Sequence, residues 1–330
     1  MSSRLTNLPQ FPAFTWSSDA LNPIIMELRF KQGQLVETME ALEPVFKEMA
    51  HTEMLNSDAT GNLKIVAPEL NIENHQDIQA LLLAITETRG SIIGKSQNPI
   101  TIAQIEQAYL PTSTIIGNQN IDNQFVSSNF NAKQLDQFLN WFNKPGLDRM
   151  LKAGIAHLWF TAISPNHPAS AFIASILSDI QLAKADKTTM RYYSMSSQIS
   201  RKLAEYQFII SQSLQGSLDI TIWLQWYLSC LEKAYDSANT QLAPILARAQ
   251  YWKSHSNPNL NLRQQAIINI LLAGFNEKLT TTIYAKLTHC SRDTALRDVT
   301  NLLSQNVFIK KGGKGKNTEY FLNFPLKNYS

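Results

Sequence analysis

The chain has 330 residues, 44% hydrophobic and 17% charged, which is long enough for two domains and apolar enough for a sizeable core. Its net charge is +3, and its 12 glycines and 13 prolines are few, which favours long helices over a β-rich fold. No apolar run approaches the roughly 18 residues of a membrane span, Met1–Pro12 lacks the apolar centre of a secretory signal, and Cys230 and Cys290 make no metal or disulfide pattern, so a cytoplasmic protein without a membrane partner is expected.

The first long helical pattern runs from about Lys31 to Leu55, with Leu35, Met39, Leu42, Val45, Phe46 and Met49 at three- and four-residue steps. Ser57, Asp58, Gly61 and Asn62 then read as a break. Asn74 suits the cap of a helix to Arg89, and Thr101 the cap of a shorter one reaching Tyr109. Residues 111–130 read as a polar loop with a short hairpin around Gln124–Ser127. Dense helical patterns follow. Leu135, Phe138, Leu139 and Phe142 mark one, and Leu151, Ile155, Leu158 and Trp159 the next. Pro168 suits the first turn of a third, which carries Ile173, Ile176, Leu177, Ile180 and Leu182. Further helices reach about Lys253, and Asn257–Pro258 marks a boundary. The expected division is a helical region over 1–100, a helical core over 101–254 and a C-terminal domain over 262–330.

The run Ala153–Gly154–Ile155–Ala156–His157–Leu158–Trp159–Phe160–Thr161–Ala162–Ile163 resembles the helix that leads into the active-site loop of Fic-family proteins. Ser178–Asp179, Arg191–Tyr192–Tyr193–Ser194–Met195–Ser196–Ser197–Gln198–Ile199 and Asp219–Ile220–Thr221–Ile222–Trp223–Leu224 resemble that family too, and so does the pattern around Trp16. The resemblance implies an all-α Fic helical fold with a small β-hairpin flap, and an activity that moves AMP from ATP, with magnesium, onto a protein hydroxyl.

The family's loop reads His-Pro-Phe-x-Asp-Gly-Asn-Gly-Arg-x-x-Arg. In the register set by the flanks, the His falls on Ser164, the Pro on Pro165, the Phe on Asn166 and the acid on Pro168. Gly-Asn-Gly falls on Ala169, Ser170 and Ala171, the first Arg on Phe172 and the last on Ser175. The family's His is a general base, and a serine hydroxyl has no basic form near neutrality. Its acid holds magnesium, and proline offers no side-chain oxygen. Its arginines grip phosphate in a fork, which phenylalanine and serine cannot do. The resemblance also places the family's self-inhibitory helix, Ser/Thr-x-x-x-Glu-Gly/Asn, on His51–Thr52–Glu53–Met54–Leu55–Asn56, with Leu55 at the Glu position. His157, His167 and the tryptophans Trp141, Trp159, Trp223 and Trp226 read as packing or loop residues.

From Leu262 the sequence reads as three helices and a two-stranded wing. Gln264–Ala273 and Leu279–Lys286 are the first two helices, Ser291 caps a third to Leu303, and Val307–Ile309 and Tyr320–Leu322 are strand-like. The third helix is expected to bury Ala295, Leu296, Val299, Leu302 and Leu303, and to expose Arg292, Asp293, Thr294, Arg297 and Asp298. Residues 258–330 hold ten Lys/Arg and four Asp/Glu, while the remainder is net −3. This winged-helix layout also resembles the C-terminal domain of many Fic proteins. Arg292, Thr294 and Arg297 would face DNA bases, and Lys310, Lys311, Lys314 and Lys316 phosphates, with Asp293 and Asp298 opposing. The expectation is therefore a catalytically degenerate Fic-fold protein, with no cofactor, that binds an unidentified protein and is compatible with a homodimer. Residual or altered nucleotide transfer and DNA-binding regulation are the alternatives.

Overall fold

A computed structural model describes residues 4–66, 76–95, 98–105, 107, 131–164, 170–254, 259–275, 277–311 and 318–324. The expected hairpin around Gln124–Ser127 lies outside them, as do Asn74 and Tyr109. The fold is all-α, with one two-stranded antiparallel sheet among the described residues. No described helix is long and apolar enough to cross a membrane. The chain divides into two compact units, one of residues 1–41 and 50–238, the other of 42–49 and 239–330.

In the first unit, α1 (Ser18–Glu40) starts at Ser17, whose hydroxyl accepts the Ala20 N–H. The helix begins well before Lys31 and continues through Pro23, which lies inside it. α2 (Pro44–Val66) runs straight through Ser57, Asp58, Gly61 and Asn62. The expected break there is corrected: Asp58 and Asn62 are fully buried and hydrogen-bonded to neighbouring elements, so tertiary contacts override their weak helix propensity. α3 (Gln76–Gly94) and α4 (Ala132–Asn143) follow, the latter capped by Asn131 and burying Leu135, Phe138 and Phe142.

α5 (Arg149–Ile163) is capped by Asp148, which accepts from Met150 N and Leu151 N, and it is buried from Met150 to its end. It pairs with α6 (Ser170–Asp186), whose apolar residues from Phe172 to Ala183 are buried as the periodicity predicts. This hairpin is the centre of the unit. α7 (Met195–Arg201), α8 (Leu203–Gln215) and the start of α9 (Thr221–Ser254) cover it. α9 approaches α5 closely at Gly154, whose carbonyl accepts from Trp223 Nε1 at 2.8 Å. A Cβ on Gly154 would stand 2.9 Å from the Tyr227 ring. Trp159, Trp223 and Trp226 are core residues, and Trp141 is half-buried.

The second unit contains α10 (Leu262–Leu272), α11 (Thr281–Leu287), α12 (Arg292–Ser304) and the hairpin of β1 (Phe308–Lys311) and β2 (Glu319–Leu322). The register pairs Phe308 with Leu322 and Ile309 with Phe321. Asn261 and Gln264 form a reciprocal capping box at α10, and Ser291 caps α12 as expected. Ile267, Ile268, Tyr284, Val299, Leu302 and Phe308 form the core.

Candidate functional site

The residues that the Fic resemblance singles out lie where α5 ends and α6 begins. Ser164 closes α5, and its carbonyl accepts the hydroxyl of Ser170, the first residue of α6. Ser164, Ser170, Phe172 and Ser175 are buried, Phe172 completely, and Ala171 is half-buried. Pro165, Asn166, His167, Pro168 and Ala169 lie outside the described residues.

Ser175 is part of a buried polar network that the sequence did not disclose. Its hydroxyl lies 2.7 Å from Asn62 Oδ1 and 2.8 Å from the Phe172 carbonyl. Asn62 Nδ2 donates to Ser196 Oγ at 2.7 Å and to the Asp58 carbonyl at 2.8 Å. The Asp58 carboxylate accepts from Ser194 Oγ. Every hydrogen-bonding valence of the Asn62 amide nitrogen is used, as burial demands. Between Asp58 and Asn62, Gly61 lets α2 lie directly on the backbone of Ser196 and Ser197. A Cβ there would be 2.5 Å from Ser196 C and Ser197 N. The residue of α2 that meets Ser175 is thus Asn62. Leu55 is a buried apolar residue two turns earlier. The usable signal was the spacing of Asp58 and Asn62, four apart and so on one helix face.

The structure also brings together Ser178–Asp179 and Arg191–Tyr192–Tyr193–Ser194. Arg191 is completely buried. It donates to the Asp179 carbonyl at 3.0 Å, lies 3.3 Å from Asp179 Oδ1, and stacks 4.3 Å from the Tyr193 ring centre. Burial opposes its charge, but Tyr193, Asp179 and Asp186 together raise its pKa above the ordinary value. The Tyr193 hydroxyl donates to Asp186 at 2.8 Å. This cluster ties α6 to the segment leading into α7. His157 is a packed residue: Nε2 is 3.0 Å from the Tyr206 hydroxyl, and burial lowers its pKa to about 3.

In the second unit, Arg292, Asp293, Leu296, Arg297 and Thr300 are exposed along α12, and Thr294 is half-exposed. Two expectations are corrected. Leu296 is 51% exposed, because Ala295, Val299 and Leu302 already fill the core-facing stripe. Asp298 is buried: Arg263 Nε reaches it at 2.8 Å, Asn261 Nδ2 at 2.9 Å and the Tyr284 hydroxyl at 3.3 Å. Burial works to raise its pKa, but Arg263 and Asn261 prevail and hold it below the usual carboxylate value. Lys310 and Lys311 are exposed on β1, with Lys311 5.3 Å from the Phe321 ring centre. Lys314 and Lys316 lie outside the described residues.

The fold is that of a Fic protein. It is similar to the structure of a Fic family protein from Desulfovibrio desulfuricans G20, with a TM-score of 0.57 and 12% identity, covering 91% of this chain and 96% of that one. Residues 6–76 match a family model described as a domain of unknown function, DUF4172. No curated protein matches the chain.

Proposed function

We propose that the first unit is a catalytically degenerate relative of the protein adenylyltransferases, a pseudo-enzyme serving as a binding or regulatory module. The observation that carries the reading is at Phe172 and Ser175. Where the resemblance puts phosphate-gripping arginines, one residue is a fully buried ring and the other is a serine occupied with Asn62. Ser164 stands in place of the general base. These neutral, buried groups do not fit a magnesium–nucleotide complex, so no transfer step is derived through one. Asn62, and not Leu55, is the residue of α2 that faces Ser175, so the group opposite the position of the motif's last arginine is neutral. A carboxylate there would face no arginine and would be a buried, unpaired charge.

The test is transfer of labelled AMP from ATP with magnesium, onto the protein itself and onto lysate proteins. The expected result is no labelling above a heat-killed control, for the natural chain and for Ser164→His alike. A general base contributes about 10²–10⁴ in rate but cannot act on a nucleotide that is not held. Robust labelling by either protein establishes residual or altered transfer instead.

A second reading concerns the C-terminal unit, a winged helix in this proposal, as a DNA-binding module. It is favoured by the placement of Asp298. Of the four carboxylates after residue 258, Asp298 is engaged by Arg263, and Glu319 by Lys278 at 2.6 Å. Arg292, Arg297, Lys310 and Lys311 form no ion pair among the described residues, so the basic excess is left at the surface facing solvent.

A further inference from the structure

Three cations gather where α5 starts and α6 ends. Arg149 is the first residue of α5, Lys152 lies one turn further along it, and Lys184 is in the last turn of α6. Arg149 Nη1 donates to Gln181 Oε1 at 2.8 Å, and Gln181 stands one turn before Lys184. Lys152 is buried, and Arg149 and Lys184 are half-buried. The three charges oppose one another. Burial, then Arg149 and Lys184, bring the pKa of Lys152 down to about 8, and burial and Arg149 lower that of Lys184.

No carboxylate among the described residues pairs with any of the three. Asp148 caps α5 with one oxygen and holds Arg29 at 2.5 Å with the other. Asp186 accepts from Gln32 and from the Tyr193 hydroxyl. Helix ends account for two of the cations. Lys152 Nζ donates to the Trp141 carbonyl at 2.9 Å and to that of Lys144, closing α4, and Lys184 stands at the negative end of α6. Arg149 is not accounted for in this way, because it stands at the positive end of α5, beside two like charges. Such an arrangement, partly withdrawn from water, is unfavourable until an anion joins it.

We propose that the start of α5 and the end of α6 form a binding site for a dianionic phosphate group, held by Arg149 and Lys184 with the charge of Lys152 behind them. After its bond to Gln181 the Arg149 guanidinium keeps further N–H donors, whose fork matches two phosphate oxygens. Lys184 has no hydrogen bond or ion pair among the described residues, so its ammonium is available. Lys152, already bonded to two carbonyls, contributes charge alone. Three cations favour a dianion over a monoanion. The site lies at the far end of α5 from Ser164, roughly 20 Å away at about 1.5 Å per residue, and it does not depend on the reading of that position.

The experiment unfolds the full chain in urea near neutral pH, in phosphate or in chloride at equal ionic strength, and follows tryptophan fluorescence. Phosphate strengthens the burial of surface in any protein, so the natural chain is compared with Arg149→Gln, Lys184→Gln and the double variant. The natural chain should gain stability saturably with phosphate, and each single variant should weaken the apparent affinity about tenfold or more. In chloride, Lys184→Gln should be at least as stable as the natural chain, because repulsion is relieved. A second arm measures a short phosphoserine peptide with uncharged flanks by fluorescence anisotropy. Tighter binding than inorganic phosphate assigns the site to a phosphorylated protein, and equal or weaker binding to a small phosphate compound. An equal gain from phosphate in the natural chain and the double variant is a general salt effect and overturns the site. A Lys184→Gln chain weakened in chloride overturns the repulsion on which the site rests. Circular dichroism checks folding, and if Arg149→Gln does not fold, Lys184→Gln alone decides.

Discussion

Replacing Gly61 with alanine should destabilise the first unit, although glycine-to-alanine in a helix interior ordinarily stabilises by about 1 kcal/mol. The added methyl would lie 2.5 Å from Ser196 C, 2.5 Å from Ser197 N and 2.7 Å from Ser196 O. All three are backbone atoms, so no side-chain rotation relieves the overlap. α2 would have to withdraw by on the order of 1 Å to restore an ordinary contact of about 3.5–4 Å. That withdrawal stretches the bond from Asn62 to Ser196 and the one from Asp58 to Ser194. Overpacking of this kind costs about 1–3 kcal/mol, and two weakened buried hydrogen bonds add about 1 kcal/mol each. Set against the propensity gain, the net loss is about 2–4 kcal/mol. Gly33 is the control: it is exposed on α1 and nothing lies within 4 Å of its missing Cβ. Gly33→Ala should stabilise by about 0.5–1 kcal/mol. Urea unfolding followed by tryptophan fluorescence measures both, since Trp16, Trp141, Trp159, Trp223 and Trp226 belong to the first unit. A Gly61→Ala protein as stable as the natural chain would refute the account of how α2 sits on Ser196.

His157 and Asp298 give two tests by pH. His157 titrates near 3 in the folded chain and near 6.5 when unfolded, so the unfolded state binds the extra proton between those values. Stability of the first unit should therefore be complete above about pH 6.5 and fall by about 1.4 kcal/mol per pH unit below it. His157→Phe should flatten the slope in unfolding titrations, and an unchanged slope would assign it to other groups. Asp298 has a lowered pKa, so its contribution is present above the ordinary carboxylate range and lost as pH falls through the folded value. Asp298→Asn should weaken the second unit at neutral pH and remove part of its acid sensitivity, read from Trp252 fluorescence. If the variant loses stability equally at every pH, the ion pair with Arg263 is not the cause.

Much of the fold was legible because its core helices are strongly periodic. The apolar run from Ile155 to Ile163 and that from Ile173 to Leu182 both became buried helices. The all-α class followed from sparse glycine and proline as much as from the Fic resemblance. The reading failed where polar residues face inward. Ser57, Asp58, Gly61 and Asn62 carry every local mark of a break, yet Asp58 and Asn62 are buried in a continuous helix. Only their distant partners, Ser175, Ser194 and Ser196, make that conformation favourable. Asp298 misled for the same reason: Arg297 beside it is exposed, but the partners of Asp298 lie on α10 and α11. Leu296 is the converse, an apolar residue that the period alone would bury. Of the positions that the Fic resemblance singles out, the identities at Ser164, Phe172 and Ser175 were readable, and the network that occupies Ser175 was not.

The packing of α2 on Ser196 has an evolutionary consequence. Positions 61, 62, 175 and 196 come from three separate stretches of chain, yet each closes a space that the others leave open. A guanidinium introduced at Ser175 would meet the Asn62 amide, and any side chain at Gly61 would meet backbone, so each change costs stability by itself. An ancestor with larger or charged groups at these positions could reach the present arrangement only through several coupled substitutions. The way back is equally obstructed. The four positions are thus coupled through packing, and a change at one of them favours a compensating change at another.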